Sequence, residues 1–211
     1  MPNNVIDSDS KKRRDEGATP FAAGYGERSP EETMKKDDQF YGDMQKHIAI
    51  SAIGPSALRN QGSAGVIKAA QEHLADINLQ IFRTKNEGAF LRVLDDQTEV
   101  LRRALPRAAQ NWGAARKALN LFLRGICYNR FLCEKHGLAL VEEWMEIPLD
   151  SMTAASLKRK ATRGDLPQWP GLNGLTPDVS SKFQALAKQV ASEQSISRIH
   201  LDMRLWAEER E

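Results

Sequence analysis

Residues 111–137 read NWGAARKALNLFLRGICYNRFLCEKHG, and the fold turns on how this stretch is taken. Trp112, Ala115, Leu119, Phe122, Leu123 and Ile126 recur at three- and four-residue intervals, the spacing of one helix face. After a small drift Phe131 or Cys133 continues the stripe. Asn111 stands in the capping position and Gly137 where a helix stops, so the pattern predicts one helix from Trp112 to about His136. Cys127 and Cys133 lie six residues apart within it and fall on different faces. A disulfide between them is therefore disfavoured, and reduced thiols are expected.

The same reading extends outward. Ser29-Pro30-Glu31-Glu32 combines a cap, an N1 proline and early acids, and predicts a helix to about Ile50. Val66, Ile67, Ala70, Leu74, Ile77 and Ile81 form one stripe over a predicted helix from Ala64 to Phe82. Short helices are expected around Phe90–Leu94 and again from Val100 to Pro106. Downstream, helices are expected over Leu140–Met145, Met152–Ala161, from Thr176, and from Ser195 to Glu209. Residues 166–174, rich in Pro, Gly and Asn, read as a loop. No stretch alternates as a half-buried strand does. The prediction is a compact all-α fold, with residues 1–30 a loosely attached arm and residues 31–211 one helical domain.

With 211 residues, 41% hydrophobic and 27% charged, the chain is composed like a globular domain and not like a disordered one. No apolar run reaches the roughly eighteen residues of a membrane span, and the first residues lack a signal peptide's apolar core. The expected setting is cytoplasmic, beside the nucleoid if the source is bacterial. Two cysteines without partner histidines make no metal site, and no cofactor is expected. The net charge of +2 says little, but its distribution says more. Between Leu101 and Lys135 eight cations meet one acid, Glu134, and Lys158, Arg159, Lys160 and Arg163 follow. Such clustering suits phosphate neutralisation, with Arg107, Arg116, Lys158, Arg159, Lys160 and Arg163 as candidate DNA-backbone contacts. The same side chains can equally face water from amphipathic helices.

Two fragments carry a family resemblance. Asn111-Trp112-Gly113-Ala114-Ala115-Arg116-Lys117-Ala118-Leu119, followed by Ile147-Pro148-Leu149-Asp150-Ser151, resembles the helix-hairpin-helix DNA glycosylases. The likeness is nearest to their atypical branch, which includes archaeal 8-oxoguanine glycosylases. It covers roughly Leu105 to Arg163. Asp150 matches the family's aspartate at a helix start after a Pro-apolar pair, and Lys117 its lysine. Where the family hairpin carries glycine-apolar-glycine, this chain has Arg107-Ala108-Ala109-Gln110-Asn111-Trp112-Gly113, with one glycine. The four-cysteine iron–sulfur signature of some relatives is missing.

What the resemblance implies is removal of a damaged or modified base from double-stranded DNA, with no membrane and no obligate protein partner. Asp150 would stabilise positive charge developing on the sugar, and Lys117 would attack the anomeric carbon and form a Schiff base. Read without the family, Asp150, or Ser151 beside it, is a helix cap and Lys117 a phosphate contact or exposed charge. A flipped base needs an apolar wall and edge-reading groups. Trp169 in its proline-flanked loop is the favoured platform, ahead of Trp112, Tyr128, Trp144 and Trp206. Gln168 and Asn173 are candidate edge readers. Asn120 and Arg124 share a broad helix side with Lys117. His200 reads as a structural hydrogen-bonding residue or a site group, and Asp202 as the reserve carboxylate. The alternatives to an enzyme are a noncatalytic nucleic-acid-binding module and a helical protein-interaction domain.

Overall fold

In the computed structural model, residues 30–62 and 64–208 are described, with side chains from Lys36 onward. The expected arm, and the Ser29 cap, lie outside them. The described residues are all-helical: α1 (Pro30–Ala52), α2 (Val66–Ala75), α3 (Glu87–Ala104), α4 (Trp112–Tyr128), α5 (Arg130–His136), α6 (Ser151–Lys160), α7 (Gly171–Gly174), α8 (Pro177–Glu193) and α9 (Leu201–Glu208). Short 3₁₀ turns at Leu79–Phe82, Arg107–Ala109, Leu138–Trp144 and Arg198–His200 join them. No helix is long and apolar enough to cross a membrane.

The expected long helix is two. Asn129 is extended (φ −94°, ψ 103°), and its side-chain oxygen accepts from the Leu132 amide at 3.0 Å, capping α5 afresh. Gly137 ends α5 in the left-handed conformation at φ 64°, which suits a residue without a Cβ. Both cysteines are free thiols, as expected, and the Cys127 Sγ donates to Met145 Sδ at 3.2 Å. Burial, reinforced by the neighbouring Cys133 and Glu142 charges, pushes the Cys127 thiol far up.

Other boundaries moved for equally local reasons. The two short helices expected near Phe90 and Val100 are one, α3, because Asp95–Glu99 continues the helix and the Thr98 hydroxyl donates back to the Leu94 carbonyl at 2.7 Å. Asn86 caps it by accepting from the Ala89 amide at 2.9 Å. The helix expected to reach Phe82 stops at Ala75, and Asn78 caps a 3₁₀ turn instead. Residues 138–144 are 3₁₀ where an α-helix was expected, and the predicted loop encloses α7. Thr176 accepts from the Val179 amide and Pro177 sits at the start of α8, as the sequence signature implies.

α4 is the axis of the packing. Every residue from Gly113 to Asn120 is buried, and Leu119, Phe122, Leu123 and Ile126 have no exposed surface. Full burial of each such side chain contributes about 1.5–3 kcal/mol. The buried apolar residues fall into two clusters, where the sequence suggested one core. α1–α5 and the 138–144 turn build the first; Ile147, Leu149, α6, α8 and α9 build the second. Buried Met145–Leu149 passes from one to the other.

That crossing segment is extended and forms no ladder, so its backbone must be satisfied by side chains. Gln184 of α8 does this for Ile147, accepting from its amide at 3.2 Å and donating to its carbonyl at 2.8 Å. The Arg198 guanidinium donates to the carbonyls of Trp144, Met145 and Gln184. Asp150, at the end of this strap, is thereby held against α4.

Candidate active site

Two elements aim the central pair. Lys117 lies in the second turn of α4, with its side chain only 8% exposed, and its Nζ is 3.2 Å from Asp150 Oδ2. Asp150 is the N-cap of α6: its Oδ1 accepts from the amides of Met152 at 3.0 Å and Thr153 at 2.9 Å. Capping and facing the lysine are thus divided between the two carboxylate oxygens. Burial works to raise the Asp150 carboxyl. The Lys117 ammonium and the Thr153 hydrogen bonds outweigh it and hold the group below the usual carboxylate range.

A second layer stands behind Asp150. The Thr153 hydroxyl donates to Asp202 Oδ1 at 3.2 Å, and Asp202 Oδ2 pairs with the Arg124 guanidinium. Asp202 is therefore the counter-ion of Arg124, not a spare site carboxylate. Arg124 is within Coulombic reach of Asp150, and burial pulls its guanidinium below the ordinary value.

The pair opens onto a cavity of about 520 Å³. Its wall includes Trp169, whose ring meets Phe183 edge-on at 5.5 Å, so one side of the indole is fixed by the second core. Asn173, Ser151 and Met152 line it, as do Ser56, Arg59, Asn60 and Gln61 from the α1–α2 connection. Asn60 is left-handed at φ 63°, a conformation asparagine tolerates better than most residues. Gly113 brings the far wall close: a Cβ there would lie 2.4 Å from the Leu172 carbonyl oxygen and 2.7 Å from Leu175 Cβ. Only a glycine lets α4 approach α7 so tightly. A concavity of about 600 Å³ between α2 and α3 has Glu72, His73 and Asp76 but no amine in its lining.

Lys117, Asp150, Trp169 and Asn173 are brought together; other candidates are not. Trp112 lies outside this cavity, half-buried against the second core, with the Arg116 guanidinium 5.2 Å from its ring centre. Asn120 is buried and donates to Glu146 Oε2 at 3.2 Å. Gln168 is exposed and does not line the cavity. His200 stacks on Tyr128 and meets Glu142 at 2.9 Å. Trp144 packs on Phe90, and Trp206 is 40% exposed.

Arg116 needs a firmer correction. It was expected at phosphate, yet it is 5% exposed and forked onto Glu146 at 2.8 and 3.1 Å, with Asp95 and Thr98 each at 2.9 Å. Burial works to raise the Glu146 carboxyl, but Arg116, Arg198 and Asn120 hold it low. The basic run is also largely neutralised: Arg102 by its helix neighbour Glu99, and Lys135 and Lys160 by the distant acids Asp38 and Glu208. Arg107, Lys158 and Arg163 remain exposed, and Arg159 hydrogen-bonds Ser156. Lys158–Lys160 sit about 12–15 Å along α6 from Asp150.

The residues that pattern reading missed are those of the α1–α2 connection. The Gly54-Pro55-Ser56 interruption marks it as a loop, and loops on a rigid scaffold commonly carry function. Among the described residues, no group of three or more His, Cys, Asp and Glu side chains is placed to hold a metal. Compared with family models, with curated proteins and with solved structures, the chain matches none.

Proposed function

We propose that this chain is a DNA glycosylase that cleaves the N-glycosidic bond of a flipped-out damaged or modified base, in the manner of the helix-hairpin-helix enzymes it resembles. One observation carries the reading: an amine and a carboxylate meet at 3.2 Å at the wall of a cavity of about 520 Å³ that also holds an indole. That volume is in the range of small-molecule sites, and an aromatic wall with a few convergent polar groups suits a base. The exposed cations Arg59, Arg107, Lys158 and Arg163 provide contacts for the backbone of double-stranded DNA. Charge is the weaker support, since so many cations of the basic run are paired internally.

The resting pair is ammonium and carboxylate. For covalent cleavage Asp150 takes a proton from Lys117, and the neutral amine's lone pair forms a bond to C1′. The glycosidic bond's electron pair leaves with the base, which receives the proton from Asp150. The ammonium aminal that results returns a proton to Asp150, which passes it to O4′ as the C1′–O4′ bond breaks and the nitrogen lone pair forms the C=N bond of the protonated Schiff base. The hydrolytic variant uses the same groups differently: Asp150 stays ionised beside the cationic sugar, the base leaves with the glycosidic electron pair, and water adds at C1′ and gives up a proton that ends on the base.

Incubation with duplexes carrying oxidised, deaminated, alkylated or hypermodified bases, followed by heat and alkali, tests the activity. Strand cleavage at the lesion is expected; an inert panel overturns the proposal. Borohydride trapping separates the routes, because excision without a trapped adduct removes Lys117 from its nucleophilic role. Salt-sensitive DNA binding that Asp150→Asn leaves unchanged, with no base loss, identifies a noncatalytic binding module instead.

A further inference from the structure

Asn111 holds the N-cap position of α4 with extended backbone, yet its side chain makes no capping bond. Forgoing a cap costs helix stability, and this carboxamide is engaged elsewhere instead. Its Nδ2 donates to Gln61 Oε1 and to Asn173 Oδ1, both at 3.2 Å. One partner lies fifty residues upstream and the other sixty-two downstream. Both line the cavity that Lys117 and Asp150 share, and Gln61 is 5% exposed.

The direction of the bridge follows from the helix. At the positive end of α4 an amide oxygen is favoured toward the helix amides and the NH₂ group away from them. Both hydrogens of Asn111 Nδ2 are then consumed by the two oxygens. Gln61 and Asn173 are held with their oxygens occupied, and among the described residues neither of their NH₂ groups has an acceptor. The cavity thus carries two oriented donors without a matching acceptor.

We infer that Gln61 and Asn173, aligned by Asn111, read the edge of the bound base and select keto-edged bases over their amino-edged counterparts. A carbonyl oxygen, alone or beside a ring nitrogen, accepts from these donors; an exocyclic amine turns its own hydrogens on them and leaves both unpaired. Hydrolytic deamination makes this change, turning cytosine into uracil and adenine into hypoxanthine. Calling such a base a substrate rests on the proposed glycosylase activity, whereas its recognition needs only the cavity.

Two matched pairs test the inference with the full chain. Binding of hypoxanthine against adenine, and of uracil against cytosine, is followed by saturation-transfer NMR at millimolar base. The keto member is expected to bind at least tenfold more tightly. Gln61→Glu and Asn173→Asp replace a donor by an acceptor and should remove that preference or reverse it. Asn173 is exposed, so its variant carries the test if Gln61→Glu does not fold. Equal binding within each pair, no binding of any base, or variants that keep the wild-type preference would overturn the inference. Single-turnover excision from duplexes with hypoxanthine or uracil is measured in parallel. Keto-selective binding without excision from these duplexes or from the lesion panel above would leave the recognition standing and remove the glycosylase reading.

Discussion

Asp150→Asn separates the two jobs of one carboxylate. Asparagine caps helices about as well as aspartate, so the bonds from Met152 and Thr153 to Oδ1 survive. What is lost is the charge facing Lys117. At 3.2 Å and an effective dielectric constant near 20, the gross attraction is about 5 kcal/mol, most of it offset by desolvation. Breaking a fully buried pair costs about 3–5 kcal/mol, and an exposed one contributes under about 1. With the Lys117 side chain 8% exposed and that of Asp150 28%, the expected loss lies between, about 2 kcal/mol. Lys117→Met leaves Asp150 capped and partly hydrated, at a cost of about 1 kcal/mol. The double variant should be more stable than the sum of the singles by about 1–2 kcal/mol. Urea unfolding followed by circular dichroism measures all four proteins. Because the folded carboxyl sits below its unfolded value, the pair's contribution is complete above the unfolded carboxylate range. It fades as the pH falls through the folded value, so the deficit of Asp150→Asn should shrink in acid. Additivity of the two substitutions within about 0.5 kcal/mol, or a deficit that does not change with pH, would refute the coupling. Asp150→Ala should cost about 1 kcal/mol more than Asp150→Asn, which isolates the cap.

Glu146→Ala leaves Arg116 and Arg198 buried beside an empty site and should lower stability by about 3–5 kcal/mol in denaturant unfolding. Replacing Arg116 and Glu146 together by Met and Leu should recover much of that loss. Gly113→Ala drives a Cβ into the Leu172 carbonyl and should cost about 1–3 kcal/mol, read as a lower unfolding midpoint. It should also displace Trp169 and Asn173 from Lys117, seen as changed indole fluorescence. The Cys127 thiol, held protonated by burial, should resist iodoacetamide at neutral pH in the native protein and react fully in denaturant.

Most helices and the caps at Asp150 and Thr176 were legible in the chain itself, because capping and the apolar repeat act within about four residues, whereas the pairing of Lys117 with Asp150 across thirty-three residues came only from the family resemblance. The Asp150 cap and the Thr176-Pro177 start of α8 are of this kind, as is the stop at Gly137. The break at Asn129 was local too, but the continuing apolar stripe on both sides of it concealed the cap. Arg116 looked like a surface cation because its partner Glu146 is thirty residues away, and Arg124 finds Asp202 across seventy-eight. Gln61 meets Asn111 only once α4 is seated between two cores. Periodicity states which face of a helix is apolar and not which acid or loop arrives over the other face. That choice is made by packing at long range, so the folded chain alone decided which charges are spent inside and which residues enclose the cavity.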